Sequence, residues 1–333
     1  MKDESVPSLP SVAGWSDDPP PPGGDRRSQE RPLAGSVVGR PSTAYFDQLA
    51  PTYDTDFTDT RLGRELRSRV WARLAALFPP GAKVLELACG TGEDARFLAA
   101  RGVHVVATDQ SEPMLALARR KTEGLPVTLA PFDLAGPPPP EVLAHAPYTG
   151  LFSNFGGLNT LSPAALAALA AHLAPLLAPG APMLLVIMGR WCAWEIAWHL
   201  ARLQPRRAFR RLGSSGVPAS LNEQPSHPPG TPSPAAFSRG KGPGDGGLPL
   251  LIHYPSTPAL RRAFSPAFRL TRVWPLGLLL PPTVLEPLTR RPWFPFRLFA
   301  TLDRRLHWPL LADHTVYEFI VQAPSHRPSV PGV

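Results

Sequence analysis

The sequence predicts an α/β protein built on a doubly wound, mostly parallel sheet. Three observations predict it. Helix and strand signals alternate through the first two thirds of the chain, the strand runs are short and apolar, and a glycine turn follows the first of them. Strands alternating with helical repeats make parallel βαβ units. In that architecture ligands sit beyond the carboxyl ends of the strands.

Helical spacing over 43–50 and 61–78 forms a lead-in to the first strand, 83–88. A helix over 93–100 leads to a β-branched strand at 103–107, and a helix over 112–121 to a strand at 127–130. A short strand at 151–153 precedes an alanine-rich helix over 163–177, which Pro179 and Gly180 end. The run 183–188 is a buried strand and 190–203 a helix. Strands at 250–254, 268–274 and 315–322 follow, with a helix over 258–264 between the first two.

Much of the chain's 45 prolines and 27 glycines is clustered, which marks segments outside the fold. Residues 1–40 lack the apolar periodicity that offsets ordering entropy, and are expected to be a disordered tail. A second such stretch is placed at 203–247. From Gly213 to Gly247 its only large apolar residues are Val217, Leu221 and Phe237. A structureless loop of that length reads as an insertion. The core is therefore expected over 41–202 and 248–323, with an apolar cap insertion at 276–312 and a loose tail at 324–333.

Hydrophobic residues are 43% of the 333, enough for one core of roughly 200 to 250 residues. Two cysteines, Cys89 and Cys192, exclude a disulfide framework and match no zinc spacing, so no metal is implied. The first residues carry no apolar run of the signal-peptide kind. A reducing cytoplasm is the expected setting. The formal charge of +8 comes largely from arginines scattered over amphipathic stretches, where they coat solvated faces. No nucleic acid is expected as partner; peripheral membrane contact stays open, as does the oligomeric state.

The first strand ends in Leu85-Glu86-Leu87-Ala88-Cys89-Gly90-Thr91-Gly92. Gly90 and Gly92 let the backbone turn sharply and approach a ligand closely. The second strand ends on Asp109, placed to accept hydrogen bonds from two ribose hydroxyls. Two cofactor classes use this layout. A dinucleotide would put a pyrophosphate on the helix N-terminus, where Glu93 and Asp94 stand. At an effective dielectric of about 20, unit charges roughly 4 Å apart interact by about 4 kcal/mol. S-adenosylmethionine instead brings a sulfonium and an ammonium, which acids near the turn and Glu86 suit. Repulsion favours the sulfonium cofactor, and an NAD-linked oxidoreductase is the weaker alternative.

At these residues the chain resembles the class I S-adenosylmethionine-dependent methyltransferases, in the branch of the ubiquinone/menaquinone methyltransferases. The resemblance covers about 43–322, with 276–312 poorly matched. It implies a Rossmann-like seven-stranded sheet with an N-terminal helical lead-in and late insertions. The first motif, from Glu86 through Ala88, Gly90 and Gly92, then binds the methionine end; Ala88 stands where the family usually has its first glycine. Asp109 matches the ribose-binding acid, with Gln110 beside the adenine. Asp133 and Leu134 match the adenine-reading motif, and Ser153 and Asn154 the motif that closes over the methionine. Tyr45 to Asp54 resembles the lead-in segment whose tyrosine covers the cofactor, and Tyr53 is the residue carried over to that role.

Methyl transfer is an in-line displacement, so positioning carries much of the rate, and a base is needed only when the acceptor must lose a proton. Trp191, Trp194, Glu195 and Trp198 share one helical stripe after the fifth strand. The stripe is either an aromatic wall presenting Glu195 to an acceptor or ordinary core. Glu195 and His314 are the candidates for acceptor-side chemistry. The arginine run 202–211 reads as a phosphate site or a solvated helix end. The expected function is methyl transfer from S-adenosylmethionine to a small or lipophilic acceptor; the alternative is a non-catalytic partner subunit with the same fold.

Overall fold

The computed structural model describes residues 41–213, 216–218, 250–306 and 308–323. The tails expected at 1–40 and 324–333, and most of the insertion, lie outside the described residues.

The chain enters through α1 (Pro41–Leu49), a π-helical turn (Asp54–Thr58) and α2 (Arg61–Leu77). Thr60 caps α2 by accepting from the Gly63 amide at 2.9 Å. Then follow β1 (Lys83–Leu87), α3 (Glu93–Ala99), β2 (His104–Asp109), α4 (Glu112–Lys121), β3 (Val127–Pro131), α5 (Pro140–Leu143), β4 (Gly150–Ser153), α6 (Pro163–Leu173) and β5 (Pro182–Met188). The later elements are α7 (Ala193–Leu200), α8 (Pro205–Ala208), β6 (Val217–Pro218), β7 (Leu251–Ile252), α9 (Thr257–Phe264), β8 (Phe268–Leu276), α10 (Glu286–Thr289), α11 (Phe296–Asp303) and β9 (His314–Val321).

Seven strands form one sheet in the order β3-β2-β1-β4-β5-β9-β8. The first five are parallel, and β9 runs antiparallel between β5 and β8. This is the expected doubly wound α/β fold. The order reverses between β1 and β4, so a crevice opens at their carboxyl ends. Strand β1 alternates its faces. Leu85 and Leu87 join the cluster with α6 and α9, while Val84 joins the cluster with α2 and α3. Glu86 shares the face of Val84.

Three expectations change. Strand 250–254 shrinks to β7, which pairs with β6 in a separate two-stranded ribbon and not with the main sheet. The insertion expected from 203 begins later, since α8 and a 3-10 turn (Arg210–Leu212) continue the structure and bury Arg211. Its arginine is held by ion pairs that a reading of apolar periodicity does not register. The segment 276–312 is divided between core and surface: Leu276, Leu280, Phe294, Phe296 and Ala300 are buried in the cluster that contains α2, while Trp293, Leu298 and Trp308 are exposed. Asp303 pairs with Arg69 of α2, and the Trp194 indole donates to the Leu279 carbonyl at 2.9 Å. Prolines there break the helix into short pieces, which hides helical periodicity while leaving apolar side chains free to pack.

Candidate functional site

A cavity of about 860 Å³ opens along the carboxyl ends of β1, β2, β4 and β5. Its floor is the turn after β1. Gly90 has φ +55° and no atom within 4 Å of where a Cβ would stand, so bare backbone faces the cavity. Gly92 has φ +77°, and a Cβ there would meet Ala118 Cβ of α4 at 2.7 Å. It is required for helix packing and does not line the cavity. Ala88 adopts φ +54°, a conformation that costs an L-residue roughly 1–2 kcal/mol.

Asp109 ends β2 at the cavity wall. Its Oδ2 accepts from the Gly90 amide at 2.8 Å and its Oδ1 from the Ser111 amide at 3.0 Å. Burial raises its pKa above the ordinary value, although those amides oppose the shift. Each oxygen keeps a lone pair for a ligand hydroxyl. Tyr53, Ala88, Gln110, Asp133, Leu134 and Asn154 also line the cavity. Burial pushes the Tyr53 phenol up to about 12, so it stays protonated.

Glu86 and Ser153 were expected to touch the ligand and do not line the cavity. Ser153 Oγ donates to the Leu87 carbonyl at 2.9 Å, tying β4 to β1. Glu86 is buried beneath the turn with Oε2 lacking a hydrogen-bond partner. Burial, reinforced by Asp94, raises its pKa well above the ordinary carboxyl range. The register pairs Glu86 with Phe152 and Ser153 with Leu87, which puts the two side chains on opposite faces of the sheet.

The acids at the start of α3 are neutralised. Asp94 is buried against Arg67 at 2.7 Å and accepts from Trp71 Nε1 at 2.6 Å and Asn154 Nδ2 at 2.9 Å. Glu93 pairs with Arg96 at 2.5 Å and Lys121 at 3.3 Å. The repulsion expected to exclude a pyrophosphate is therefore largely cancelled inside the protein, and that argument does not separate the two cofactor classes. Arg67 was missed in the sequence. Its signal was a charged residue on the buried face of α2, beside Leu66 and Val70.

The far half of the cavity is lined by Phe155, Leu161, Ala165, Met188, Leu250 and Ile252, with polar groups from β9 and the turn after α8. There Glu195 Oε1 accepts from Arg210 Nε at 2.7 Å and Oε2 from Arg211 Nε at 2.8 Å. Arg211 also pairs with Asp313 at 2.9 Å and lies over the Tyr254 ring at 5.0 Å. Burial opposes the charge on Arg211, and Asp313 and its neighbours outweigh it. Burial likewise raises Asp313, but His314 and Arg211 hold its carboxyl below the ordinary range. His314 lies edge-on to Phe155, its Nδ1 3.1 Å from Asp313 Oδ2. Of the two readings of Glu195, a carboxylate facing an acceptor or the edge of a core stripe, the geometry gives a carboxylate that lines the cavity with a guanidinium on each oxygen. Trp194 packs into the core, and Trp191 is exposed, so the stripe is no aromatic wall. Burial holds the Cys192 thiol up at about 12 and raises Cys89 too, which leaves both unreactive.

Residues 84–180 match the family described as methyltransferase domain. Over this stretch the chain is similar to methyltransferase domains. Within it lie the glycine turn, Asp109, Asp133 and Asn154. The demethylmenaquinone methyltransferase of Clavibacter sepedonicus is 40% identical over 82 residues, 25% of this chain and 34% of that protein. That of Thermus thermophilus is 40% identical over 100 residues, 29% of this chain and 46% of that protein. The matched part thus spans less than half the length of these curated relatives. The methyltransferase fold extends further than the sequence match. The CcbJ methyltransferase from Streptomyces caelestis aligns with a TM-score of 0.51 at 20% identity, covering 84% of this chain and 99% of that one.

Proposed function

We propose that the chain transfers the methyl group of S-adenosylmethionine to a lipophilic small-molecule acceptor. One observation carries the reading: a single cavity joins the bare glycine turn and Asp109 to a mainly apolar chamber beside His314. Its volume of about 860 Å³ lies high in the usual range for ligand pockets, about 300–1,000 Å³. The cofactor supplies an electrophilic methyl on a sulfonium. Asp109 binds the ribose hydroxyls, Gly90 admits the ligand to the backbone, and Asp133 with Leu134 reads the adenine. Tyr53 and Asn154 close over the other end. Glu86, Gly92 and Ser153 support the turn from behind.

His314, oriented by Asp313, takes a proton when the acceptor must lose one. Glu195 holds Arg210 and Arg211 and so fixes the chamber wall. Demethylmenaquinone, the compound in the relatives' names, is the first acceptor to assay, in its reduced quinol form. The buried thiols suit a reducing, cytoplasmic setting, and no helix among the described residues is long and apolar enough to cross a membrane.

Calorimetry with S-adenosylhomocysteine, with NAD in parallel, tests the cofactor half. Binding of NAD alone would overturn it. Mass-spectrometric turnover with demethylmenaquinol and a panel of apolar phenols and quinols tests the other half. His314→Gln should lower kcat with S-adenosylhomocysteine affinity unchanged; an unchanged kcat removes His314 from proton transfer.

A further inference from the structure

Six of the twelve exposed large apolar side chains among the described residues lie between 293 and 311. Trp293 is 70% exposed, Trp308 68% and Leu298 56%. Within α11, Phe296, Ala300 and Asp303 face the core, so Leu298 and Leu302, one turn apart, face outward. Scattered exposed leucines need no explanation, but a cluster flanked by two tryptophans does.

The same surface is basic. Arg297 of α11 and Arg304 just after it face Arg61 and Arg64 of α2 across a groove of about 620 Å³, in which Glu65 is the one acid. Arg304 pairs with Glu65, and the Arg61 guanidinium lies 4.0 Å over the Phe296 ring. Arg291, Arg297 and Arg305 are exposed and make no ion pair among the described residues. The groove's guanidiniums thus lie on the α2 side of the outward leucines.

We propose that the face formed by α11, its flanking tryptophans and the N-terminal half of α2 docks on an anionic lipid bilayer. Leu298 and Leu302 would enter the acyl boundary, and the tryptophans would lie at headgroup depth, where their amphipathic rings are favoured. The arginines would meet lipid phosphates in the groove. Charge complementarity selects this occupant: a second copy of the chain would bring the same arginines against each other. The proposal does not depend on the methyl acceptor, because its readout needs no turnover.

The experiment is flotation of the full chain with phosphatidylglycerol–phosphatidylcholine vesicles and with phosphatidylcholine vesicles alone. Binding should require the anionic lipid and fall at high salt, as screening shortens the reach of the arginines. Each arginine near such a surface contributes about fivefold, so Arg297→Glu with Arg305→Glu should weaken binding by roughly 25-fold or more. Trp293→Ser with Leu298→Ser and Leu302→Ser should weaken it at least about tenfold. All five side chains are exposed, so melting temperature and S-adenosylhomocysteine affinity should match the parent in both variants. No flotation with anionic vesicles, equal flotation with neutral ones, or binding that neither variant weakens would overturn the proposal. So would sedimentation showing a parent dimer that both variants dissociate, since the face would then belong to a second copy.

Discussion

Replacing Gly157 with Ala places a methyl group 2.4 Å from the Cβ of Ala88. Carbon atoms pack best at roughly 3.5–4.0 Å, so the pair is about 1 Å too close. Ala88 has little room to retreat, because its φ of +54° already sits in the left-handed region. Overpacking of this kind costs about 1–3 kcal/mol, partly offset by the reduced freedom of the unfolded chain. Ala88→Gly alone relieves roughly 1–2 kcal/mol of backbone strain and adds about 0.5–1 kcal/mol of unfolded-state entropy, for a small net change. In the double variant the next atoms from the new methyl are Ser153 Oγ at 3.6 Å and the residue-88 Cα at 3.8 Å, both ordinary contacts. The cycle should therefore show a favourable coupling of about 1–3 kcal/mol. Urea midpoints at constant m-value read it directly. Calorimetry with S-adenosylhomocysteine should show Gly157→Ala weakened and the double variant restored. A Gly157→Ala protein within about 0.5 kcal/mol of the parent, or a double variant no better than that single change, would refute the packing argument.

Asp109→Ala should lower S-adenosylhomocysteine affinity by roughly 10- to 150-fold and leave the Gly90 and Ser111 amides without their acceptor, costing about 1–3 kcal/mol of stability; calorimetry and thermal melts check the two separately. Asp313 is held below its ordinary pKa of 3.8, so its ion pairs stabilise fully above that value and are lost as pH falls through it and below. Melting temperature should drop more steeply on acidification below about pH 5 than in Asp313→Asn, whose own slope shows what other carboxylates contribute. Arg211→Met leaves Glu195 and Asp313 without their shared cation and should cost about 3–5 kcal/mol; a loss under about 1 kcal/mol would show the cluster to be hydrated. Replacing 219–249 with Asn-Gly should change the melting temperature by no more than a few degrees. Its flanks already pair as Val217↔Ile252 and Pro218↔Leu251, and loop closure depends weakly on length. Loss of soluble protein would show that the segment packs.

The sequence by itself determined the elements whose signals are local. Alternating periods set the parallel strands, Pro179-Gly180 ended α6, and the glycine turn with Asp109 nineteen positions after Gly90 located the cavity floor. These are legible because period, turn chemistry and strand length act between residues near in sequence. Gly90 and Asp109, read from the turn, and Gln110, Asp133, Leu134 and Asn154, which the family resemblance implied, line one cavity. What each acid does was decided only by tertiary structure. Asp94 meets Arg67 from α2, and Glu86 is folded under the turn; Glu195 is held by Arg210 and Arg211, which a periodicity reading placed in a disordered insertion. Charge pairing is a contact between distant parts of the chain, and its energy depends on burial that no spacing records. The 276–312 segment divides in the same way. Its composition announced an apolar insertion, yet which side chains turn inward on α2 and which, like Trp293 and Leu298, remain exposed was fixed by packing against a helix more than two hundred residues earlier.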